Sequence, residues 1–109
     1  MTEQGAIEST ARLPEPALAD MRLESVLQAL GDPVRLQIVR KLRASPSAKA
    51  CGTFDLPVGK STASHHFKVL REAGLIRQRV EGRKRLTELR EYDVEKRFPG
   101  LLASVLSAR

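Results

Sequence analysis

The sequence K-S-T-A-S-H-H-F-K-V-L-R-E-A-G-L-I, residues 60–76, contains a helix, the end of that helix and the start of a strand. At about 100° per residue, Ala63, Phe67 and Leu70 fall on one face of the helix, while the opposite face is polar. Gly74 ends the helix at a position that favours a left-handed residue. The polar face consists of Ser61, which is also a candidate N-cap, and Ser64, His65, Lys68, Arg71 and Glu72. The pattern predicts a helix that packs on one side and binds anions on the other.

Positive charge is concentrated in the middle of the chain. The 109 residues include 19 Lys and Arg against 13 Asp and Glu, which gives a net charge of +6. Residues 33–90 carry 14 basic and 4 acidic side chains, whereas residues 1–32 carry 2 and 6. Because phosphates attract clustered Lys and Arg, a central basic block of this size is typical of a nucleic-acid-binding surface.

Length and composition exclude several other classes of protein. A chain of 109 residues forms one small domain. No run approaches about 18 apolar residues and no basic-then-apolar secretion signal opens the chain, so we expect a cytoplasmic protein without membrane contact. We also expect neither an enzyme nor a cofactor, because the sequence offers no paired carboxylates, no Ser/His/Asp set and no phosphate-binding glycine loop.

Other periodicities predict what precedes this helix. Residues 1–16 show no sustained pattern, so we interpret them as a flexible arm before a single domain at 17–109. Apolar spacing predicts a first helix over residues 17–30. A second helix is predicted over residues 33–43, where Asp32 is a suitable N-cap and proline is tolerated at the first position.

The elements around and after the two-faced helix are shorter. The sequence of residues 50–59 predicts one short turn or extended segment, because Pro57 is incompatible with a long helix. Two β-prone runs, 75–80 and 85–89, flank a turn and predict a hairpin. After Pro99 an apolar stripe predicts a last helix. The expected fold is therefore mainly α with a small β-hairpin.

The predicted elements follow the order of a winged helix-turn-helix: two helices, a short linker, a polar-faced helix and a basic hairpin. In that fold the polar-faced helix enters the DNA major groove and the hairpin touches the flanking backbone. Hydroxyl, imidazole and basic side chains can donate hydrogen bonds to phosphates and purine edges. The candidate DNA-binding residues are Ser61, Thr62, Ser64, His65, Lys68, Arg71, Arg77, Arg79, Arg83, Lys84 and Arg85.

Three segments carry a more specific resemblance: D-P-V-R-L-Q-I-V-R-K-L at 32–42, S-T-A-S-H-H-F-K-V-L-R-E-A-G-L-I at 61–76 and V-E-G-R-K at 80–84. Together they resemble the ArsR/SmtB family of bacterial winged-helix repressors, over about residues 19–106. The resemblance implies a homodimer, joined by its first and last helices, that binds an inverted-repeat operator near its own promoter until an effector arrives. The residues expected at that dimer interface are Leu23, Val26, Leu27, Leu30, Leu101, Leu102, Val105 and Leu106.

The metal-sensing members of that family differ from this chain. Those that sense arsenic or cadmium resemble a C-x-C-D-L pattern, whereas this chain has C-G-T-F-D-L with the single thiol of Cys51. Soft-metal sites use three or four N or S ligands, and the last helix has no histidine. We therefore expect no metal site and leave the effector open. Cys51 is either a small buried side chain or an oxidation-sensitive or ligand-binding thiol.

Second interpretations stay open for several features. We expect His65 to face DNA and His66 to pack as a structural residue, because adjacent helical residues point about 100° apart. The basic hairpin is also consistent with a solvated surface, and the stripe over residues 98–106 with packing inside its own subunit. The alternative function is a winged-helix module that binds RNA or protein without an operator.

Overall fold

A four-stranded antiparallel sheet packs beside a group of helices in the computed structural model, which describes residues 10–45 and 47–108. Residues 10, 11 and 51 are described by their backbone alone. In chain order the elements are β1 (Thr10–Arg12), a 3-10 turn (Leu18–Asp20), α1 (Leu23–Leu30), α2 (Pro33–Arg43), β2 (Lys49–Ala50), a second 3-10 turn (Cys51–Thr53), α3 (Lys60–Ala73), β3 (Ile76–Glu81), β4 (Lys84–Leu89), α4 (Glu91–Arg97) and α5 (Leu101–Ser107). The mainly helical winged helix-turn-helix expected from the sequence is confirmed.

The start of α2 follows the predicted capping chemistry. Oδ2 of Asp32 accepts hydrogen bonds from the backbone N–H groups of Val34 and Arg35, at 2.9 and 3.1 Å. Pro33 occupies the first helical position, where its missing N–H has no intrahelical partner to lose. Helix α2 spans Pro33–Arg43, so the predicted bounds are confirmed.

Gly74 ends α3 in the left-handed conformation, with φ of 93°. A Cβ atom at this position would lie 2.7 Å from Cγ of Met21, which is 1% exposed in the core. Both the backbone angle and the close approach require glycine here. The chain then turns directly into β3, so the end of the helix determines where the hairpin begins.

The predicted hairpin is present, and its strands extend one residue further toward the turn than predicted. Ile76 lies opposite Leu89 and Glu81 opposite Lys84, which leaves Gly82 and Arg83 as the two residues of the turn. Gly82 has φ of 62°, as such two-residue turns require. The sheet order is β1-β3-β4-β2, so the hairpin lies at its centre.

The core is formed by one apolar cluster shared by the helices and the sheet. Helix α3 contributes Phe67 and Leu70, which are 4% and 0% exposed. The other fully buried members, all at most 1% exposed, are Met21, Val26, Ala29, Ile38, Val39, Leu75, Ile76, Val94 and Leu102. Burial of one face of α3 turns its polar face outward.

The predicted flexible arm needs correction. Residues 10–12 form β1, which pairs with β3 so that Arg12 lies opposite Arg79. The backbone N–H of Leu13 continues this pairing by donating to the carbonyl of Gln78 at 3.0 Å. Three residues are too few to show an alternating pattern, and their partner strand lies far along the chain. The rest of the predicted arm, residues 1–9, lies outside the described residues.

Three smaller predictions also differ from the structure. The predicted first helix is broken before α1, because the carbonyl of Met21 accepts hydrogen bonds from the Arg97 side chain, at 3.1 and 2.9 Å, instead of continuing a helix. The N-cap of α3 is Gly59, and Ser61 lies inside the first turn. Helix α4 was not predicted, because its only buried residue is Val94 and one apolar position does not form a periodic pattern. None of the described helices has the length and apolar character needed to cross a membrane.

Candidate nucleic-acid interface

Helix α3 presents its polar face to solvent. The side chains of Ser61, Thr62, Ser64, His65 and Lys68 are all exposed. Four of them, all except Thr62, fall within an arc of about 100° on the helix surface. These residues can therefore approach one groove of a nucleic acid together, while the opposite face stays in the core.

The two adjacent histidines take different roles. His65 is exposed on the polar face, whereas His66 is 9% exposed and meets the Arg35 side chain at 3.0 Å. The prediction that His66 packs as a structural residue is confirmed. Only His65 is available to an external partner.

The segment before α3 is held against that helix by aromatic packing. The rings of Phe54 and Phe67 lie 5.3 Å apart with 70° between their planes, an edge-to-face arrangement that aromatic pairs favour. Near this contact a cavity of about 150 Å³ opens between α3 and β4, lined by Gly52, Lys60, Ala63, Ser64, Phe67 and Arg85. The cavity therefore lies between α3 and the hairpin, and two basic side chains, Lys60 and Arg85, are among its lining.

Four arginines on α3, on β3 and directly after β4 have partners within the protein. Arg77 lies 3.3 Å from carboxylate oxygens of Glu15 and Asp93 and 3.6 Å from Glu88. Arg90, which is 5% exposed, lies 3.1 Å from the same Asp93 carboxylate. Arg79 pairs with Glu81 and Glu88, and Arg71 donates to the carbonyl of Pro14 and to the side chain of Gln78.

Three of the candidate DNA-binding residues therefore have partners within the protein, and their contact with DNA stays a prediction. The guanidinium groups of Arg71 and Arg77 contact other segments of the chain, whereas Arg79 pairs with Glu81 and Glu88 inside the hairpin. An arginine that leaves such partners must break several hydrogen bonds before it can bind DNA. Arg71 connects α3 to the hairpin and to the N-terminal segment, and Arg77 connects the hairpin to that segment and to α4.

Other cations near the same surface have no such partner. Within residues 10–45 and 47–108, no ion pair or hydrogen bond engages the side chains of Lys60, Lys68, Arg83, Lys84 and Arg85. All five are exposed, and they lie on α3 and on the tip of the hairpin. Lys60 was not among the predicted contacts, although its position immediately before Ser61 was a signal for it. Arg12, exposed on β1 beside the hairpin, was missed because the strand itself was missed.

The residues predicted at the dimer interface divide into two groups. Val26, Leu30 and Leu102 are at most 4% exposed and belong to the core of the chain. A helical apolar stripe alone does not distinguish the core-facing edge from the outward edge, and the dimer contact stays a prediction. In contrast, Leu23 and Leu27 are 46% and 47% exposed. Leu101, Val105 and Leu106 are partly buried against the core.

No group of three or more His, Cys, Asp and Glu side chains that could hold a metal ion occurs among the residues that the structure describes. Cys51 begins the second 3-10 turn. Its side chain lies outside the description, so a redox or ligand-binding role for this thiol stays a prediction.

A helix with an exposed polar face beside a hairpin whose exposed cations have no partner in the described part of the chain is typical of a winged-helix DNA-binding protein. Comparison with known proteins agrees: residues 32–78 match the model of the bacterial regulatory proteins of the arsR family. The uncharacterized HTH-type transcriptional regulator YceK of Bacillus subtilis is 39% identical over 82 residues, which cover 73% of this chain and 82% of that protein.

Two further relatives match shorter segments. The uncharacterized HTH-type transcriptional regulator MJ1325 of Methanocaldococcus jannaschii is 38% identical over 58 residues, 52% of this chain and 65% of its own. The HTH-type transcriptional regulator Rv2034 of Mycobacterium tuberculosis is 40% identical over 62 residues, 57% of this chain and 58% of its own. The chain belongs to the ArsR family of helix-turn-helix regulators, and its function is DNA-binding transcriptional regulation.

Proposed function

We propose that the protein is a homodimeric repressor that binds an inverted-repeat operator near its own promoter and is released by an effector. The exposed face of α3 reads base edges in the major groove, with Ser61, Ser64, His65 and Lys68 as the contacts. Thr62, at the edge of that face, contacts the flanking backbone. The protein acts in the cytoplasm, where its DNA target lies.

The observation that carries the proposal is the distribution of unpaired cations. Lys60 and Lys68 on α3, and Arg83, Lys84 and Arg85 on the hairpin tip, are exposed and without partners in the described part of the chain. A phosphate contact made by such a side chain releases counterions without first breaking an internal ion pair. We therefore assign phosphate binding to these five residues, and positioning of the hairpin, which is the wing of the fold, to Arg71 and Arg77.

The exposed leucines of α1 support the homodimer. Leu23 and Leu27 lie one helical turn apart, so their side chains form one apolar strip on the outer surface. A second copy related by a two-fold axis would bury both strips against each other. The half-buried Leu101, Val105 and Leu106 of α5 would extend that contact. Two recognition helices would then lie about 34 Å apart, one turn of DNA.

The test is selection of bound sequences from a pool of random duplex DNA by the purified full chain. The proposal predicts enrichment of an inverted repeat whose half-site centres are about one helical turn apart. The Lys68→Ala variant should enrich the same sequence more weakly, since its contribution is to affinity. Absence of any enriched sequence, or stronger binding of an RNA hairpin than of duplex DNA, would contradict the proposal.

Release by an effector has a separate test. Metal ions and mild oxidants are added one at a time to the complex with the selected duplex, and DNA release is followed by fluorescence anisotropy. A thiol-dependent effector should release the wild-type protein and leave Cys51→Ser bound. Release of both proteins alike would assign the effector to another site, and no release by any compound would contradict control by these classes of effector.

A further inference from the structure

A single guanidinium group connects the recognition helix to the helix that carries the exposed leucines. Nη1 of Arg35, on α2, lies 3.0 Å from Nδ1 of His66, on α3. A guanidinium can only donate hydrogen bonds, so Nδ1 must be the acceptor. In this contact the ring N–H of His66 lies on Nε2. Because His66 is 9% exposed, water offers little competition for this contact.

The same side chain reaches the end of α1. Nε of Arg35 donates to the carbonyl of Ala29 at 2.7 Å, and Nη2 approaches the carbonyl of Gln28 at 3.4 Å. The last carbonyls of a helix have no intrahelical partner and favour a positive charge. Arg35 therefore caps α1 with part of its guanidinium and holds α3 with another part.

Asp32 holds the backbone from which Arg35 extends. Its carboxylate accepts the backbone N–H of Arg35 at 3.1 Å and lies 3.8 Å from Nδ1 of His66. The start of α2 is thus attached to α3 on one side and to α1 on the other. The arrangement leaves the Arg35 side chain little freedom to move without losing hydrogen bonds to both helices.

We infer that Arg35 and His66 are positioning residues that set the distance between the two recognition helices of the dimer. The inference rests on the proposed function, in which α1 forms the dimer contact and α3 reads DNA. His66 follows His65 directly, so a rotation of α3 that breaks the Arg35 contact also moves the base-reading face. An inverted repeat has fixed spacing, and only binding to both half-sites together is sensitive to such a movement.

The experiment compares two duplexes: the selected inverted repeat and the same duplex with one half-site scrambled. Arg35→Met and His66→Phe each remove the contact while keeping most of the buried apolar volume. Each should weaken binding to the complete repeat by about tenfold or more, a coupling of the size common between linked sites. Binding to the single half-site should change by no more than about twofold. Lys41→Met, which removes one charge from the same helix, is the control for both duplexes.

Two more variants distinguish positioning from general loss of structure. His66→Asn places an amide oxygen where it can accept from Arg35 in place of Nδ1, so it should recover much of the preference for the complete repeat. The double variant Arg35→Met with His66→Phe should lose no more than either single one, because both remove the same contact. Equal losses on the two duplexes, or additive losses, would overturn the inference.

The tautomer of His66 can be measured without DNA. Long-range proton–nitrogen NMR correlations of the wild-type protein should show the proton on Nε2 and an unprotonated Nδ1. A proton on Nδ1 would overturn the inference even if the operator binds as proposed. The wild-type protein could instead show the expected tautomer and bind two half-sites no more tightly than one. That result would contradict the proposed function, and with it the inference.

Discussion

Nη1 of Arg71 donates a hydrogen bond of 2.6 Å to Oε1 of Gln78, whose side chain is completely buried in β3. Nε2 of Gln78 in turn donates to Oγ1 of Thr87 on β4 at 3.0 Å. This chain of polar contacts begins on the recognition helix and crosses both strands of the hairpin. It therefore fixes the position of the hairpin relative to α3.

Arg71 and Lys68, both on α3, should respond differently to the same substitution. Arg71→Met removes a partner of a buried amide and should lower the free energy of unfolding by about 1 to 3 kcal/mol. Lys68→Met should change it by less than about 0.5 kcal/mol, since its side chain is exposed and has no partner among the described residues. Urea unfolding of the two variants checks this.

In DNA binding the order should be the opposite, so that Lys68→Met changes the salt dependence of affinity and Arg71→Met does not. Lys68→Met should reduce the slope of log affinity against log salt concentration by about 0.9, the value for one lost phosphate contact. Arg71→Met should leave the slope unchanged. If Arg71→Met lowers the slope and leaves stability intact, its guanidinium binds DNA and the assignment of wing positioning is wrong.

Gly74 and Gly82 offer a matched pair for the end of α3. Both have positive φ, of 93° and 62°, so alanine at either position costs about 1 to 2 kcal/mol in backbone strain. Only at Gly74 would the new Cβ also meet another atom, Cγ of Met21 at 2.7 Å. Thermal unfolding should therefore show a clearly larger loss of stability for Gly74→Ala than for Gly82→Ala. Equal losses would mean that Met21 moves aside at no cost.

The stability contributed by Asp32 should depend on pH. Partial burial acts to raise the pKa of this carboxyl, but the hydrogen bonds from the backbone N–H groups of Arg35 and Val34 and the positive charge of the Arg35 side chain act to lower it, and the pKa is lowered overall. A lowered pKa in the folded state means that the stabilisation is present above the unfolded-state pKa, about 3.9. It is lost as the pH falls through the lower pKa of the folded state.

Substitutions of Asp32 test that sign. Asp32→Ala should cost about 1 kcal/mol at neutral pH, where the carboxylate caps α2, and less under acid conditions. Asp32→Asn keeps a side-chain oxygen as acceptor at every pH, so its stability should vary less steeply in acid than that of the wild type. Urea unfolding from neutral pH to about pH 2 measures both. A cost of Asp32→Ala that stays constant over this range would contradict the account.

The dimer contact can be tested on the surface of α1. Leu27→Glu should produce a monomer at micromolar concentration with unchanged helix content, because Leu27 is 47% exposed and is not needed for the core. Gln28→Glu adds the same charge to a neighbouring exposed position and should remain a dimer. Sedimentation velocity and circular dichroism measure the two properties. A dimeric Leu27→Glu variant would place the interface elsewhere.

Elements with local signals could be predicted from the sequence, and elements held by distant partners could not. Asp32 with Pro33 determines the start of α2, and Gly74 the end of α3, through contacts made largely within a few residues. Strand β1 exists because it pairs with β3, whose residues lie far along the chain. No local pattern in three residues can reveal such a partner.

The same reasoning applies to the candidate interface. The exposed face of α3 could be predicted, because helical periodicity separates Phe67 and Leu70 from the polar positions. The state of each arginine could not, since Arg77 is paired with Glu15 from the N-terminal segment and Asp93 from α4. Sequence identifies basic residues, but only the fold shows which of them are already neutralised.

In the proposed function the exposed face of α3 reads a specific DNA sequence, while exposed cations on α3 and the hairpin bind the phosphate backbone. This is measured by the affinity of the wild-type protein for the selected inverted repeat and for a scrambled duplex of equal length and composition, at physiological salt. Binding to the repeat should be at least about a thousandfold tighter. Equal affinity for the two duplexes would show that the protein does not read sequence.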